Sequence, residues 1–345
     1  MTCLLRKQRP SQSDLIVGIS LITAQGHIAK WCESLSTPSA HNYRRKWPKY
    51  LFHHASLTNA TGILQAGALL SRDDALERVH DDVAPAEVIS RRSDAHKFAR
   101  LYFRPRTPTQ YQVEGIRKAE ECYLGDISNH VPVLYMFLFS AESVLTLEGT
   151  QFSNGNMQSL QTKYDGSNDF FESIQFDNVF HEGSFDQSEK DTILKARCAE
   201  VLTSSPLPLD EHLKFVLCRS EAERHTLLNA HPNADSALKV RIRTVTEVGI
   251  FQSLYSYVKS VDLLSNSCLI QFAPRRDGKS IECELFVKNT DGKIIRHLPA
   301  KSIDSAKRLR VNFGKPLSTG AFLVEINLEG HLAYKNRHLL DDLPF

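Results

Sequence analysis

The chain has 345 residues, of which 41% are hydrophobic, 24% charged and 9% aromatic, and its net charge is only +2. This length and composition suffice for one large or two medium-sized folded domains and exclude an intrinsically disordered chain. Because 42 Lys and Arg are balanced by 40 Asp and Glu, the chain is no general polycation, and any contact with nucleic acid must come from local basic patches.

The cysteines follow neither a disulfide framework nor a metal-site spacing. There are seven of them, with no CxxC pair and no His/Cys cluster typical of zinc. An odd, scattered set is typical of a reducing compartment. Residues 1–7 lack the apolar stretch of a signal peptide, and no run of about 18 apolar residues would span a membrane. We therefore expect a cytoplasmic protein without a metal or a membrane segment.

The first 245 residues show mixed helical and strand patterns. Residues 131–139 form the most apolar run and predict a buried strand. Thr58 and Gly67 are a plausible start and end of a helix. The predicted elements are, in chain order, a strand over 15–22, a helix over 24–35, strands over 50–54, 100–103 and 131–139, a loop with a short helix over 154–169, strands over 199–202 and 215–218, and a helix over 221–230.

The pattern changes near residue 240. Beyond it, short alternating segments are separated by turn signals such as Asp277-Gly278 and Asp291-Gly292. This spacing predicts a small β-sandwich or barrel. We thus expect three parts: an N-terminal extension over 1–45, a mixed domain over 46–240 and a C-terminal β-rich domain over 241–345. Residues 275–315 carry 11 Lys and Arg against 5 Asp and Glu. This local excess either adds DNA affinity or is an ordinary surface, and we assign no chemistry to it.

Glu200 is an unusual residue for its position. It lies in the short apolar segment 199–202, and burial of a carboxylate is costly without a partner. It therefore either faces solvent, paired for instance with Arg197, or is held in place for chemistry.

Three other stretches accompany Glu200: residues 53–59, 90–92 and 102–108. Each alone has a plain structural interpretation. His53 or His54 would be a strand histidine, Arg91-Arg92 a solvated helix end, and the two prolines after Phe103 a turn. Their order and spacing, taken together, favour function.

In that order the stretches resemble the DarT family of DNA ADP-ribosyltransferases, toxins of toxin–antitoxin pairs, over about residues 46–240. The matching motifs are Phe52-His53-His54-Ala55-Ser56-Leu57-Thr58-Asn59 with Gly62-Ile63-Leu64, Tyr102-Phe103-Arg104-Pro105-Arg106-Thr107-Pro108 with Tyr111, Phe152-Ser153-Asn154-Gly155-Asn156, and Ala199-Glu200-Val201-Leu202. The resemblance implies an α+β ADP-ribosyltransferase fold, with two small packed sheets around a cleft for NAD, and NAD as the only co-substrate, without a metal.

The resemblance also implies residue roles in NAD binding and catalysis. Glu200 would be the catalytic glutamate and Arg91 or Arg92 the catalytic arginine, which could also contact NAD phosphate. His53 would contact the nicotinamide ribose, and the pocket would be completed by Ser56, Asn59 and Leu64. Because Ala55 replaces a family Thr, His54-Ala55-Ser56 is an alternative register. Neighbouring strand residues face opposite sides, so only one histidine faces NAD, and we favour His53.

The predicted partner is single-stranded DNA, modified at thymine or guanine. Phosphate contacts are expected from Arg104 and Arg106, with the basic residues at 44–46. Tyr102, Phe103 and Tyr111 would stack on bases, and Phe180 and His181 would shape the base pocket. A macrodomain-type antitoxin would reverse the modification if the protein is a toxin, and a phage-defence role is also open. The alternatives are modification of RNA or protein, or a catalytically silent nucleic-acid-binding protein.

Overall fold

The computed structural model describes residues 18–75, 90–122, 125–127, 130–245 and 249–341, without the side chains of 90–92. In these ranges the α-helices are Leu21–Ser34 (α1), Leu57–Ala66 (α2), Arg72–Ala75 (α3), Pro108–Val113 (α4), Ala141–Leu145 (α5), Asn168–Ser173 (α6), Phe176–Val179 (α7), Lys190–Ala196 (α8), Leu209–His212 (α9), Glu221–Ala230 (α10) and Ser236–Arg241 (α11). Short 3₁₀ helices cover Asn42–Lys49, Ser90–Ala95 and Ala119–Glu121.

The strands fall into two groups along the chain. The first group is Tyr50–Ala55 (β1), Ala68–Leu69 (β2), Phe98–Tyr102 (β3), Tyr135–Ser140 (β4), Gln151–Ser153 (β5), Tyr164–Asp165 (β6), Glu200–Ser204 (β7), Leu207–Pro208 (β8), Leu213–Cys218 (β9) and Ile242–Thr244 (β10). The second is Tyr257–Leu263 (β11), Ser267–Ala273 (β12), Ile281–Lys288 (β13), Ile294–Ile303 (β14), Leu309–Asn312 (β15), Gly320–Leu328 (β16) and His331–Leu340 (β17).

Eight strands of the first group form one sheet in the order β10-β9-β4-β1-β3-β7-β5-β6. The strand pairing in the middle of this sheet is limited. β1 and β4 are paired along their whole length, and β3 and β7 from Phe98 to Tyr102, but β1 and β3 share the single registered pair Phe52–Tyr102. The sheet therefore consists of two four-stranded halves that meet at this seam, in place of the two separate sheets that we predicted. The α+β class is confirmed.

The buried strand predicted over 131–139 is confirmed from Tyr135 onward. All of Tyr135–Phe139 is buried, so β4 has no solvent-facing side and reads as a continuous apolar run. It starts only at Tyr135, since Pro132 lacks the N–H that a central strand must donate.

The N-terminal segment belongs to this core. Leu21 and Ile22, predicted as strand, instead begin α1, because Ser20 accepts a hydrogen bond at Oγ from the Thr23 amide and caps a helix there. Residues 18–20 of that predicted strand form no regular element, and residues 15–17 lie outside the described residues. The helix predicted over 24–35 is confirmed as α1. Trp31 of α1 is buried among the rings of Phe176 and Phe180, so residues 18–45 are no detached extension.

The C-terminal part is all-β, as predicted. One sheet has the order β11-β12-β15 and the other β14-β13-β16-β17, with antiparallel pairing throughout. Alternate residues such as Ile270 and Leu285 face a common core. The strand β10 lies beyond the boundary expected at 240, yet it pairs in parallel with β9. We therefore place the boundary after β10.

The two parts share buried contacts. Helix α10 lies against β11 and β17, and its cap Ser220 donates from Oγ to the carbonyl of Val258 at 2.6 Å. Glu114, 2% exposed, accepts the backbone N–H groups of Gln252 and Ser253, each at 2.9 Å. No helix of the described ranges is long and apolar enough to cross a membrane.

Candidate active site

Glu200 begins β7 and is fully buried, not solvent-facing. Its Oε2 accepts from Nε of Arg100 at 2.6 Å, and its Oε1 accepts from Nη2 of the same guanidinium at 2.8 Å. The backbone N–H of Met157 donates to Oε1 at 2.9 Å. A bidentate, charge-assisted pair of this kind holds a carboxylate in one orientation. Arg197, considered as its partner, instead contacts His181 and Phe185.

The carboxylate keeps room for one more donor. An ionised carboxyl has about four acceptor positions on its two oxygens. Among the described residues, Oε1 receives two donors and Oε2 only one. Oε2 can therefore accept one further proton-bearing group without losing its present partners.

Arg100 was not among the site residues predicted from the sequence. It lies on β3 two residues before Tyr102, which is the registered partner of Glu200, and residues two apart on a strand share a face. Burial disfavours its charge, but the Glu200 carboxylate outweighs this and raises the pKa of Arg100. The sequence feature that could have revealed Arg100 is its charge, because it is the charged residue in the otherwise apolar strand 98–102 and lies on the same face as Tyr102.

The Phe152–Asn156 motif builds the cradle of Glu200. Ser153 accepts the backbone N–H of Glu200 at Oγ, 2.9 Å away, and donates to the carbonyl of Gly155 at 2.7 Å. The turn that follows presents the Met157 amide to the carboxylate. This explains physically why a Ser-containing motif accompanies the glutamate.

His54, rather than His53, lies on the face of Glu200. Phe52 is paired with Tyr102, so the alternation of β1 places His54 on the Tyr102 face and His53 on the other. The His54 ring is parallel to that of Tyr102, with an angle of 4° and centroids 5.8 Å apart. Its Nε2 is buried and has no hydrogen-bond partner among the described residues. Burial, followed by the neighbouring His53, lowers the pKa of His54 to about 3, so the ring is neutral.

His53 fills the gap where β1 and β3 separate. Its Nδ1 lies 3.0 Å from the carbonyl oxygen of Arg100 and must donate to it, because a carbonyl can only accept. Burial lowers the pKa of His53 to about 4. A neutral ring with its proton on Nδ1 leaves Nε2 as an acceptor.

Of the other residues predicted for NAD binding, Ser56, Asn59 and Leu64 lie on or just before α2. Ser56 caps this helix by accepting the Asn59 amide at 3.2 Å, so the helix starts at Leu57 and not at Thr58. Leu64 is buried in the core at 6% exposure. Arg91 and Arg92 lie in the 3₁₀ helix before β3, but their side chains are outside the described set. The NAD roles of these residues stay predictions.

Three predicted DNA contacts are wrong. Arg104 is fully buried, where it donates to the carbonyls of Val179 and His181, pairs with Glu182 and lies over Trp47. Burial lowers its pKa to about 10 despite Glu182. Phe103 and Phe180 are buried in the aromatic core, at 2% and 1% exposure. None of the three can reach DNA, because their side chains stabilise the fold. Of the basic residues at 44–46, Arg44 is also engaged, at the carbonyls of His41 and Phe180.

The other predicted DNA contacts are accessible or partly so. Tyr111 is 56% exposed, and Tyr102 is half-buried with a pKa raised by burial and by Glu200. His181 accepts at Nδ1 from Arg197 at 2.8 Å, since a guanidinium can only donate. Burial, then Arg197, lowers its pKa.

Arg106 and Arg197 line a cavity of about 630 Å³, together with Tyr111 and Glu182. Arg106 has a left-handed backbone, φ 58°, and donates to Tyr43 and Glu182. The Nε atoms of both arginines are buried, and within the described ranges they have no hydrogen-bond partner. The carboxylate of Glu182 interacts with four guanidinium groups, those of Arg44, Arg104, Arg106 and Arg197. Arg106 and Arg197 are the two of these that line the cavity. This positive excess suits an anion.

In the described ranges, no three His, Cys, Asp or Glu side chains converge in a way that could hold a metal ion. The site is a buried carboxylate held by Arg100 and the Met157 amide, beside two neutral histidines at the seam between the two half-sheets.

The family model of "ssDNA thymidine ADP-ribosyltransferase, DarT" matches residues 52–249, more than half of the chain. The chain belongs to the DarT family. As a DarT enzyme it is an NAD-dependent ADP-ribosyltransferase of single-stranded DNA. The matched region contains most of β1 and all of β3 and β7, and so both Glu200 and Arg100.

Solved DarT structures are similar to part of the chain at low sequence identity. Thermus sp. 2.9 DarT with ADP-ribosylated single-stranded DNA is 17% identical, with a TM-score of 0.46, over 58% of this chain and 94% of its own. The same DarT with NAD⁺ is 15% identical, with a TM-score of 0.42, over 57% and 96%. Thermosipho africanus DarTG with ADP-ribose is 17% identical, with a TM-score of 0.42, over 57% and 49%. Comparison with curated proteins gave no match.

Proposed function

We propose that this DarT enzyme transfers ADP-ribose from NAD to thymine in single-stranded DNA, with Glu200 as the general base. The observation that carries the proposal is the fixed carboxylate of Glu200, which retains one acceptor position on Oε2. The thymidine specificity of the matched family supports the choice of base.

The reaction balances as a direct transfer. In a thymine nucleotide N3 is the ring nitrogen that carries a proton. As N3 attacks C1″ of the nicotinamide ribose, Oε2 of Glu200 accepts that proton, and the bond from C1″ to nicotinamide breaks. The departing ring takes the electron pair and leaves as neutral nicotinamide. Proton acceptance in the transition state contributes about 10²–10⁴-fold in rate.

The unpartnered Nε2 of His54 supports NAD binding at the seam. A buried polar atom without a partner costs roughly 1–3 kcal/mol, and a ribose hydroxyl or the carboxamide of nicotinamide would satisfy it. His53 presents a second acceptor on the other side of β1. No step of the chemistry requires either ring to be charged.

We expect His54→Ala to raise the KM for NAD by about tenfold, the equivalent of one hydrogen bond of about 1.4 kcal/mol. His53→Ala removes the bond to the Arg100 carbonyl and is expected to lower the melting temperature with a smaller change in KM. Steady-state kinetics and thermal unfolding of both variants measure this. A larger KM effect for His53→Ala would instead favour the register preferred from the sequence.

The cavity lined by Arg106 and Arg197 is the proposed site for a DNA phosphate near the target base. Its excess of guanidinium groups and the exposed ring of Tyr111 match a phosphate followed by a base. Arg197 lies only three residues before Glu200 in the chain, which supports a phosphate site near the carboxylate. Of the DNA contacts predicted from the sequence, Arg106, Tyr111 and His181 surround this region.

Arg197→Ala is expected to weaken oligonucleotide binding about tenfold at low salt and to lower the salt slope of log K by about 0.7, the value for one phosphate on a single strand. Turnover at saturating DNA should change little. Arg224→Ala, on α10, removes the same charge away from the cavity and is the control. Fluorescence anisotropy at several salt concentrations compares them. Equal losses in both variants would contradict a phosphate site at Arg197.

The function is tested by mass spectrometry after incubating the protein with NAD and single-stranded oligonucleotides of varied sequence. We expect one ADP-ribose per modified strand, on thymine-containing strands only. Modification of guanine would correct the base, and modification of RNA or protein instead would refute the DNA assignment. Failure of every substrate would favour a silent nucleic-acid-binding protein.

A toxin role is the biological setting that we propose, in the cytoplasm and with a macrodomain-type hydrolase as antitoxin. The supporting observations are the family match and the likeness to a DarTG protein. Expression of the wild type should arrest growth, and co-expression of such a hydrolase should restore it. A Glu200→Ala variant provides the control.

A further inference from the structure

Basic residues are concentrated in one segment of the C-terminal part, residues 293–315. This segment carries seven Lys and Arg and a single acidic residue, Asp304. Subtracting them from the chain totals of 42 and 40 leaves 35 basic and 39 acidic residues elsewhere, so the remainder of the chain is net negative. The seven are Lys293, Arg296, Lys301, Lys307, Arg308, Arg310 and Lys315, and all except the half-buried Arg296 are exposed.

This segment forms the open edge of the sandwich. β14 is the edge strand of the four-stranded sheet and β15 that of the three-stranded sheet. Because they are consecutive in the chain, both lie on one side of the sandwich. The opposite edges, β11 and β17, are covered by α10. We call residues 293–315 the basic edge.

The charges of the basic edge are largely uncompensated. Within the part of the chain that the structure describes, Lys307 alone has a carboxylate partner, Asp304 at 3.4 Å. Arg296 donates to the carbonyl of Lys315 at 2.7 Å. Lysines on an edge strand also prevent pairing between sheets. That role does not explain a charge excess that continues through the turn and onto β15.

We propose that the basic edge is a second binding surface for single-stranded DNA, which holds the strand outside the active site. The choice of DNA rests on the proposed function, and the charge supports a polyanion independently of it. β14 has 10 residues and is therefore roughly 33 Å long, enough for several phosphates.

An aromatic platform beside the charges favours an unpaired strand over a duplex. The ring of His297 stacks on Phe286, with centroids 4.6 Å apart and an angle of 8°. The His297 side chain is 39% exposed and is paired with Glu284 at 2.9 Å. Unpaired bases can stack on such a ring, whereas a duplex buries their faces.

The middle of the basic edge lies next to the catalytic part, by which we mean the part of the chain before residue 250. Ser305, in the turn between β14 and β15, accepts the Arg275 amide at Oγ, 3.2 Å away. Arg275 in turn pairs with Glu121 of the catalytic part at 2.7 Å. Through Arg275, the turn in the middle of the basic edge is therefore linked directly to the catalytic part.

The test is a triple variant, Lys293→Ser, Lys301→Ser and Arg308→Ser, whose side chains have no ion pair in the described structure. The matched control is Lys259→Ser, Arg276→Ser and Arg337→Ser, three exposed cations of the same C-terminal part outside the basic edge. We expect the first triple to bind a long single strand about 10- to 100-fold more weakly at low salt, with the salt slope lowered by about 2. Modification of a short oligonucleotide should be unchanged.

Equal losses in the two triple variants, or no loss in either, would overturn the proposal. So would a duplex or an RNA of the same length that binds the wild-type basic edge as tightly as single-stranded DNA. Binding is measured without NAD. If the wild type modified no oligonucleotide while the triple variant still lost binding, the proposed function would fail and the basic edge would stand.

Discussion

Glu200→Gln is expected to lower the rate of ADP-ribose transfer by about 10²–10⁴-fold with the protein still folded. The amide keeps the shape of the carboxyl, but it cannot accept the proton of the attacking base nitrogen. Its former partner, the Arg100 side chain, is 31% exposed and can turn to water. Single-turnover modification of a thymine-containing oligonucleotide and thermal unfolding measure the two effects separately.

Glu223→Gln is the matched control for that variant. Glu223 is also a buried glutamate, but it is paired with Arg219, whose side chain is only 1% exposed. Removing this carboxylate breaks a buried ion pair and leaves the cation only the more distant Glu114, 3.9 Å away. Breaking a buried pair typically costs about 3–5 kcal/mol. We therefore expect Glu223→Gln to lose stability and the folded fraction to keep its turnover. Full activity of Glu200→Gln, or a loss of activity no larger than its loss of folded protein, would refute the catalytic role of Glu200.

Arg100→Met is expected to lower transfer at neutral pH by about 10²-fold, the effect of a misplaced catalytic group, and to let the rate recover as the pH rises. Arg100 gives Glu200 both its orientation and its counter-charge. Without the guanidinium, burial favours the protonated carboxyl, which cannot act as a base. Higher pH restores the carboxylate, so the pH profile of kcat should move to the alkaline side.

Arg100→Lys separates charge from geometry. An ammonium keeps the counter-charge but cannot form the two parallel hydrogen bonds, so we expect a pH profile near that of the wild type with a reduced kcat. A merely structural Arg100 would change stability without moving the pH profile. The same profile in Arg100→Met and the wild type would therefore remove Arg100 from the site.

The residues that could be predicted from sequence were those in local motifs. Glu200 was recognised because a carboxylate in an apolar strand needs a reason, and the structure shows it buried in a polar cradle. The β-rich C-terminal part followed from its alternation. The order of motifs along the chain indicated the family, which the match over 52–249 confirms.

The misses came from contacts between distant segments. Arg104 looked like a surface cation because its sequence neighbours are turn residues, but the carbonyls that it binds come from residues 179 and 181. Arg100 pairs with a residue 100 positions away, and no local pattern reveals such a pairing. The choice between His53 and His54 depends on the single registered pair between β1 and β3, which alternation within β1 alone cannot supply.

The contact at Glu114 has a consequence for how the enzyme is made. This buried carboxylate lies in the catalytic part, yet two of its hydrogen bonds come from the amides of Gln252 and Ser253, beyond the end of the family match. Ile116 and Ala222 likewise belong to the apolar core of the sandwich. A growing chain that has reached only residue 249 therefore holds every residue of the candidate active site without the partners that complete its fold. The buried contacts of the catalytic motifs are therefore complete only when residues beyond the family match have also folded.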